Sequence, residues 1–339
     1  MRVRADAPRD ACEAYVGSHP EATAYHHPAW TVLIGRAFGH QTEYLAAESA
    51  GRVVGVLPLV YFSSRLFGRF AVSLPFVNYG GVLADTPDAG CALVDAAIER
   101  TRAAGGSHLE LRHTSPQQAG LIPRRHKVAM TLELAATADE AWTRLDRKVR
   151  NQVRKAEKHG LVATSGGVEL LPEFYAVFAR NMRDLGTPVY SRQFFDAVAS
   201  AFPASTRVFV VRQDGLPLAA SLTHWHRGVI EVPWASALRE SNRVSANVLL
   251  YWRMLAFAIE KGFRRFDFGR STPGEGTYQF KKQWGAAARE MVWEYWTAGG
   301  AVPDLSPANA KYGLAIRVWQ HLPVSLATAV GPSIVRNIP

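Results

Sequence analysis

The chain has 339 residues, 48% hydrophobic and 20% charged. That composition excludes a disordered, collagen-like or low-complexity protein, and the length exceeds what one core holds, so two domains are expected. Lys and Arg number 39 against 29 Asp and Glu, a net charge of +10 carried by 31 arginines and 8 lysines. Such an excess of guanidinium suits phosphate or carboxylate partners, unless it reflects a coding bias toward Arg.

Two cysteines, Cys12 and Cys91, are too few for a disulfide framework or a cysteine zinc site, so a reducing cytoplasm is expected. The opening stretch MRVRADAPRDACEAY lacks the apolar segment of a signal peptide. No apolar run approaches the length of a membrane-spanning helix.

Residues Ala29 to Phe38 read as a helix, and Glu43 to Ala47 and Arg52 to Phe62 as strands around a turn ending at Gly51. Phe70 to Val82 reads as extended and ends in Asn78-Tyr79-Gly80-Gly81. Pro87 to Ala104 is a helix stopped by Gly105-Gly106, and Ser107 to Arg112 is a strand. The second half repeats this plan. Pro172 to Leu185 is helical, and Arg207 to Arg212 and Leu218 to His226 are strands around a turn ending at Gly215. Val229 to Ala237 is a third strand, Ser245 to Lys261 a strong helix stopped by Gly262, and Phe263 to Gly269 a strand. Gly51 and Gly215 lie 164 residues apart, and Gly105 and Gly262 lie 157 apart. These offsets predict a duplicated α/β unit of about 160 residues.

Thr137 to Glu140 reads as a capping box opening one helix from Asp139 to His159, with Trp142, Leu145, Val149, Val153 and Ala156 as its apolar stripe. Residues 142–160 carry seven Lys or Arg against two acids. Arg150, Arg154 and their basic neighbours would form a ridge for a polyanion such as tRNA, a sugar phosphate or an acidic membrane, although a charge run is also what a solvated face looks like.

The stretch FRRFDFGRSTPGEGTYQFKKQWGAAAREMVWEYW places Asp267, Arg270, Tyr278 and Lys281 around one strand end, where α/β sheets bind ligands. A turn salt-bridged by Asp267 and Arg270 is the plainer alternative. His224 and His226 lie two apart on a strand with no third ligand near, which favours packing over metal binding. No Gly-x-Ser-x-Gly elbow or phosphate-binding loop of the kinase type is present. The tail from Pro307 to Pro339 is apolar with interspersed Lys311, Arg317 and Arg336. It reads as helix packed on the domains, with contact at a membrane surface as the alternative.

The segments FDFGRS…GTYQFKKQWG, RKVRNQVRKAEKHGL and SANVLLYWRMLAFAIEKG resemble the FemAB family, and the resemblance covers residues 25–300. HHPAW…AFGH…GVLPLV…LFGR…SLPFVNYGG resembles more closely the subgroup associated with exosortase/PEP-CTERM loci, which also hold exopolysaccharide genes. The resemblance implies an α/β fold of two tandem GNAT-like units, at 1–135 and 136–300, with mixed sheets flanked by helices and a helical tail at 301–339. It implies an acyl or aminoacyl transferase forming an amide on a cell-envelope or exopolysaccharide precursor, with aminoacyl-tRNA as the family's donor. It ties the Lys of the FK pair, Lys281 here, to peptidyl transfer, and matches the family's basic helix to Arg147 to Lys158.

The long helical hairpin of the cell-wall Fem ligases is missing: Leu161 to Glu169 runs on without one. Acyl-CoA is therefore a rival donor. Against it, Leu238 to Asn247 contains no Gly where CoA enzymes carry a Gly-rich turn at a helix start.

In this reading Lys281 stabilises the developing oxyanion, Tyr278 orients or relays a proton, and Asp267 positions the lysine or the acceptor amine. Arg270, Arg150 and Arg154 hold phosphates, while Asn78, Tyr79 and Arg112 line the acceptor side. No metal, tightly bound cofactor or DNA partner is implied, and a peripheral place at the inner membrane is the alternative to a cytoplasmic one. A non-catalytic binder of a lipid-linked glycan is the competing class.

Overall fold

The computed structural model describes residues 1–64, 67–114, 120–299 and 313–338. In chain order the elements begin with β1 (Arg2–Arg4), α1 (Arg9–Ser18), α2 (Ala29–Phe38), β2 (Gln41–Ser49), β3 (Arg52–Ser64) and β4 (Gly68–Val72). Then come β5 (Leu83–Ala84), α3 (Pro87–Ala103), β6 (His108–His113), β7 (Ile122–Arg124), β8 (Val128–Glu133), α4 (Ala138–Arg144) and α5 (Arg147–Lys158). They continue with β9 (Val162–Gly166), α6 (Leu171–Leu185), α7 (Arg192–Ala201), β10 (Thr206–Gln213), β11 (Leu216–His226) and β12 (Val229–Ala237). The last are α8 (Ala246–Glu260), β13 (Arg265–Ser271), α9 (Gly276–Lys282), β14 (Ala287–Glu290), β15 (Val292–Thr297), α10 (Gly313–Gln320) and α11 (Val324–Val335).

Two compact units divide the chain. One holds Met1–Lys127, Glu290–Ser306 and Ser333–Pro339; the other holds Val128–Arg289 and Pro307–Pro332. The boundaries differ from the contiguous halves expected at 1–135 and 136–300. A strand belongs to the sheet that satisfies its amides. Residues Val128–Glu133 pair with β13, whereas Val292–Thr297 pair with β6 and β7. Ala287–Glu290 and Val292–Thr297 are thereby two strands in two sheets, parted at Met291.

In the first unit the strand order is β1-β2-β3-β4-β6-β15-β7, with β5 on β3. In the second it is β14-β8-β13-β12-β11-β10-β9. Both sheets are mixed, and each has a parallel pair bridged by a helix: β4 with β6 across α3, and β12 with β13 across α8. The hairpin turns match as well. Ala50-Gly51 has φ of 48° and 74°, and Asp214-Gly215 has φ of 50° and 79°. Positive φ at both central residues follows the right-handed twist of the flanking strands, and Gly at the second position adopts it without Cβ strain. The tandem α/β architecture is thus present as expected.

In the second unit, α5 and α8 cover one sheet face. Val149, Val153 and Ala156, at helical spacing, pack with Leu249 and Met254 against Ile230, Phe266 and Phe268. On the other face α6 and α7 bring Phe174, Phe178, Phe194 and Phe195 together, with Phe194 and Phe195 edge-on to Trp234. Burying each such ring contributes roughly 2–3 kcal/mol. In the first unit Leu93, Val94 and Ala97 of α3 pack on Leu45, Leu57, Leu59, Leu109 and Leu111.

The expected single helix 139–159 is two. Thr137 caps α4 by accepting from Glu140 N–H at 3.2 Å. Leu145 is extended, and Asp146 caps α5 by accepting from Lys148 N–H at 2.6 Å. An Asp side chain that satisfies an orphan amide starts a helix better than it continues one, so the chain restarts there. No helix among the described residues is long and apolar enough to cross a membrane.

Candidate active site

In the second unit the parallel pairing of β12 and β13 runs from Val229 opposite Arg265 to Glu231 opposite Asp267. Beyond that row β12 continues beside β11, while β13 continues beside β8, pairing Arg270 with Ala129 and Ser271 with Val128. The ladder between the two parallel strands ends there. A register shift between Asp267 and Arg270 bends β13, with Gly269 at φ 73°. Asp267 Oδ1 accepts from the Gly269 N–H at 2.7 Å and holds the bend.

The bend frees two carbonyls, and a lysine takes them. Lys281 sits on α9 and is 8% exposed. Its Nζ donates to the carbonyl oxygens of Gly269 at 3.2 Å and Arg270 at 2.8 Å. Burial lowers its pKa to about 8. The charges of Asp267 and Glu231 oppose that shift, and the charge of Arg270 adds to it. Glu231 and Asp267 are cross-strand neighbours, both buried. Like charges directly opposite repel, and the ammonium offsets that repulsion. Near neutral pH most molecules carry the ammonium, and on the order of a tenth carry the free amine. The group can therefore stabilise an oxyanion or exchange a proton without a large energetic penalty.

A cleft of about 920 Å³ lies on the other side of α9. Gln279, Phe280, Lys282 and Gln283 of α9 face it, whereas Lys281 faces β13. Arg144 and Lys148 line it from α4 and α5, and Asn242, Ser245 and Asn247 from the start of α8. Its acid, Asp146, is engaged in capping α5. Three cations against one committed carboxylate make the cleft electropositive. Ser245 has φ 61°, and α8 has no side-chain cap, so amides of its first turn add partial positive charge.

The structure brings Lys281, Asp267 and Arg270 together, as their spacing in the sequence implied. Tyr278 is half-buried and packs on the second unit's core. Arg150 is half-buried and Arg154 exposed, and neither lines the cleft; the Arg154 guanidinium lies 5.5 Å over the Trp142 ring. In the first unit, Asn78 and Tyr79 are buried.

Arg112 is also buried. Its Nε donates to Glu110 at 2.7 Å, its Nη1 reaches the carbonyls of Leu74 and Val77, and its guanidinium lies 4.5 Å over Trp293. Tyr295 donates to the other Glu110 oxygen at 2.8 Å. These contacts make Arg112 part of a packed ion-pair network in place of an open ligand contact. His224 is buried, with Nδ1 2.8 Å from the Ser205 carbonyl and its ring against Phe202, in keeping with packing. No group of metal-ligating side chains occurs among the described residues.

Glu231 and Lys282 were not anticipated at the site, and Arg144 and Lys148 only as members of the basic run 142–160. A signal for Glu231 was present: a carboxylate inside the apolar strand VIEVPWASA at a position whose alternation faces inward. Arg144 and Lys148 lie in the basic run 142–160, and tertiary packing selects which of its cations meet the cleft.

Residues 143–282 match the model of the acetyltransferase (GNAT) domain. That span contains the cleft's start, Glu231, Asp267 and Lys281. No curated protein sequence matches the chain. Among solved structures, the crystal structure of FemX superposes with a TM-score of 0.65 at 16% identity, covering 87% of this chain and 97% of that one. The C-terminal domain named for a lysylphosphatidylglycerol synthetase of Agrobacterium fabrum gives 0.59 at 14% identity, covering 86% and 92%. A tandem GNAT protein from the clavulanic acid biosynthesis pathway gives 0.53 at 13% identity, covering 87% and 94%. At such identities the likeness is one of fold, and the FemAB resemblance holds at that level.

Proposed function

We propose that the second unit is an acyl or aminoacyl transferase that forms an amide on a cell-envelope or exopolysaccharide precursor, as in the FemAB-like subgroup associated with exosortase loci. The carrying observation is a buried lysine with a lowered pKa, donating to the carbonyls of Gly269 and Arg270 where parallel strands part and feeling the charges of Asp267 and Glu231, beside an electropositive cleft. It lies within the span that matches a GNAT domain.

The acceptor amine loses a proton to a carboxylate of the Glu231–Asp267 pair and attacks the acyl carbonyl. The Lys281 ammonium stabilises the oxyanion. Collapse breaks the carbonyl bond to the donor's oxygen or sulfur, and the departing group takes up the proton. Tyr278 orients the acceptor. Arg144, Lys148 and Lys282 hold donor phosphates in the cleft, Arg270 adds charge at the strand end, and the ridge bearing Arg150 and Arg154 attracts the remainder of a polyanionic donor.

Two observations favour the 3′ end of an aminoacyl-tRNA as donor: the glycine-free turn Arg239–Val244 before α8, and the basic surface of α5. A second reading, an acyl-CoA donor, is favoured by the match to an acetyltransferase domain.

The test is transfer of label from charged tRNA or from acetyl-CoA to an envelope-precursor extract, with wild type and Lys281→Met. Transfer from tRNA that is lost in the variant supports the first reading, and transfer from acetyl-CoA supports the second. Retention of label on the protein without transfer supports a non-catalytic binder and ends the proposal.

A further inference from the structure

The tail helix α10 is anchored through one face. Ile316 lies so close to Gly186 that a Cβ there would meet it at 2.5 Å, Trp319 is buried, and Arg183 donates to the Leu322 carbonyl at 2.7 Å. The opposite face is open. Leu314 and Val318, four apart, are 69% and 57% exposed, and Leu322 continues the row. Arg317 and His321, also four apart, form the row beside it. These five residues line a shallow groove of about 530 Å³.

After Pro323, α11 repeats the device. Leu326 and Val330 point outward, while Ala327 is buried and Gly331 packs on Val189. Residues 305–339 contain no Asp or Glu. Aliphatic rows free of carboxylates, with Arg317 beside the first of them, place no negative charge of their own against a negatively charged surface.

From the apolar rows and their charge we infer that the outward faces of α10 and the first turns of α11 form a docking surface for an anionic lipid bilayer. Leu314, Val318, Leu326 and Val330 enter the headgroup boundary, and Arg317 lies at the phosphates. The helices are too short to span the bilayer, so the contact is peripheral and reversible. The inference is independent of the donor and of the transfer reaction.

The experiment is co-sedimentation of the full chain with vesicles of phosphatidylcholine alone and of equal parts phosphatidylcholine and phosphatidylglycerol. Wild type is expected to bind the anionic vesicles about fivefold more strongly, on the order of one cationic contact, and to lose this preference as salt rises. Arg317→Glu is expected to weaken binding roughly thirtyfold, since the charge changes by two. The double variant Leu314→Ser, Val318→Ser is expected to weaken it by about tenfold or more with an unchanged melting curve, because both side chains are exposed. Lys281→Met is expected to bind as wild type, which separates docking from transfer. Equal binding to both vesicle types overturns the inference. So does wild-type binding by the serine double variant, which would assign attraction to the net charge elsewhere on the molecule.

Discussion

Replacing Lys281 with Met keeps the length of the side chain and removes its titration. In the unfolded chain a lysine holds its proton to about pH 10.5, and in the folded protein burial lowers that to about 8. Between these values the unfolded state binds more protons, so folding stability rises with pH across the window. Below about pH 8 both states are charged, and the burial cost is present in full. Two and a half pH units correspond to roughly 3 kcal/mol. The stability of wild type minus that of Lys281→Met should therefore climb by roughly 3 kcal/mol between about pH 8 and 10.5. The variant also leaves the carbonyls of Gly269 and Arg270 without their donor, a cost of about 1–3 kcal/mol that does not titrate and so leaves the slope untouched. Urea unfolding followed by tryptophan fluorescence at a series of pH values measures the difference. A flat difference would show an ammonium with an ordinary pKa in contact with water, and the oxyanion role built on its burial would go with it.

Glu231→Gln removes an attraction that keeps the Lys281 proton on, so the same stability rise should begin at lower pH than in wild type, read from the same unfolding series. Arg144→Ala, Lys148→Ala and Lys282→Ala should each weaken binding of a phosphate-rich donor by about fivefold to tenfold and lower the salt slope by about one. Arg154→Ala, outside the cleft, should change equilibrium binding less, as fluorescence titration would show. Gly81→Ala would place a Cβ 2.3 Å from His113 Nδ1 and should cost about 1–3 kcal/mol in urea unfolding; an unchanged midpoint would contradict the packing. Arg112→Met strands Glu110 in the first unit's interior and should cost about 3–5 kcal/mol, and restoring Glu110→Gln beside it should recover part of that in a double-mutant cycle.

Much of the architecture was legible because local chemistry enforces it. Gly51 and Gly215 mark turns whose left-handed geometry a Cβ resists, and Gly105 and Gly262 stop helices at positive φ. The apolar spacing of Val149, Val153 and Ala156 admits one buried helix face. The stop at Asp146 was misread because a carboxylate can continue a helix or cap a new one, and only the free amide of Lys148 decides which.

The neighbourhood of Asp267, Arg270 and Lys281 was readable from spacing, since one strand, one loop and one short helix keep them close. The sequence by itself determined a tandem α/β chain with a lysine-bearing motif at a strand end, because periodicity, glycine punctuation and local spacing act over a few residues. Tertiary structure alone decided that Val292–Thr297 joins the first sheet, that Glu231 faces Asp267, and that Arg112 is enclosed while Lys148 and Lys282 line a cleft. Those outcomes depend on hydrogen-bond registers and burial between segments as many as 189 residues apart, and no local pattern encodes them.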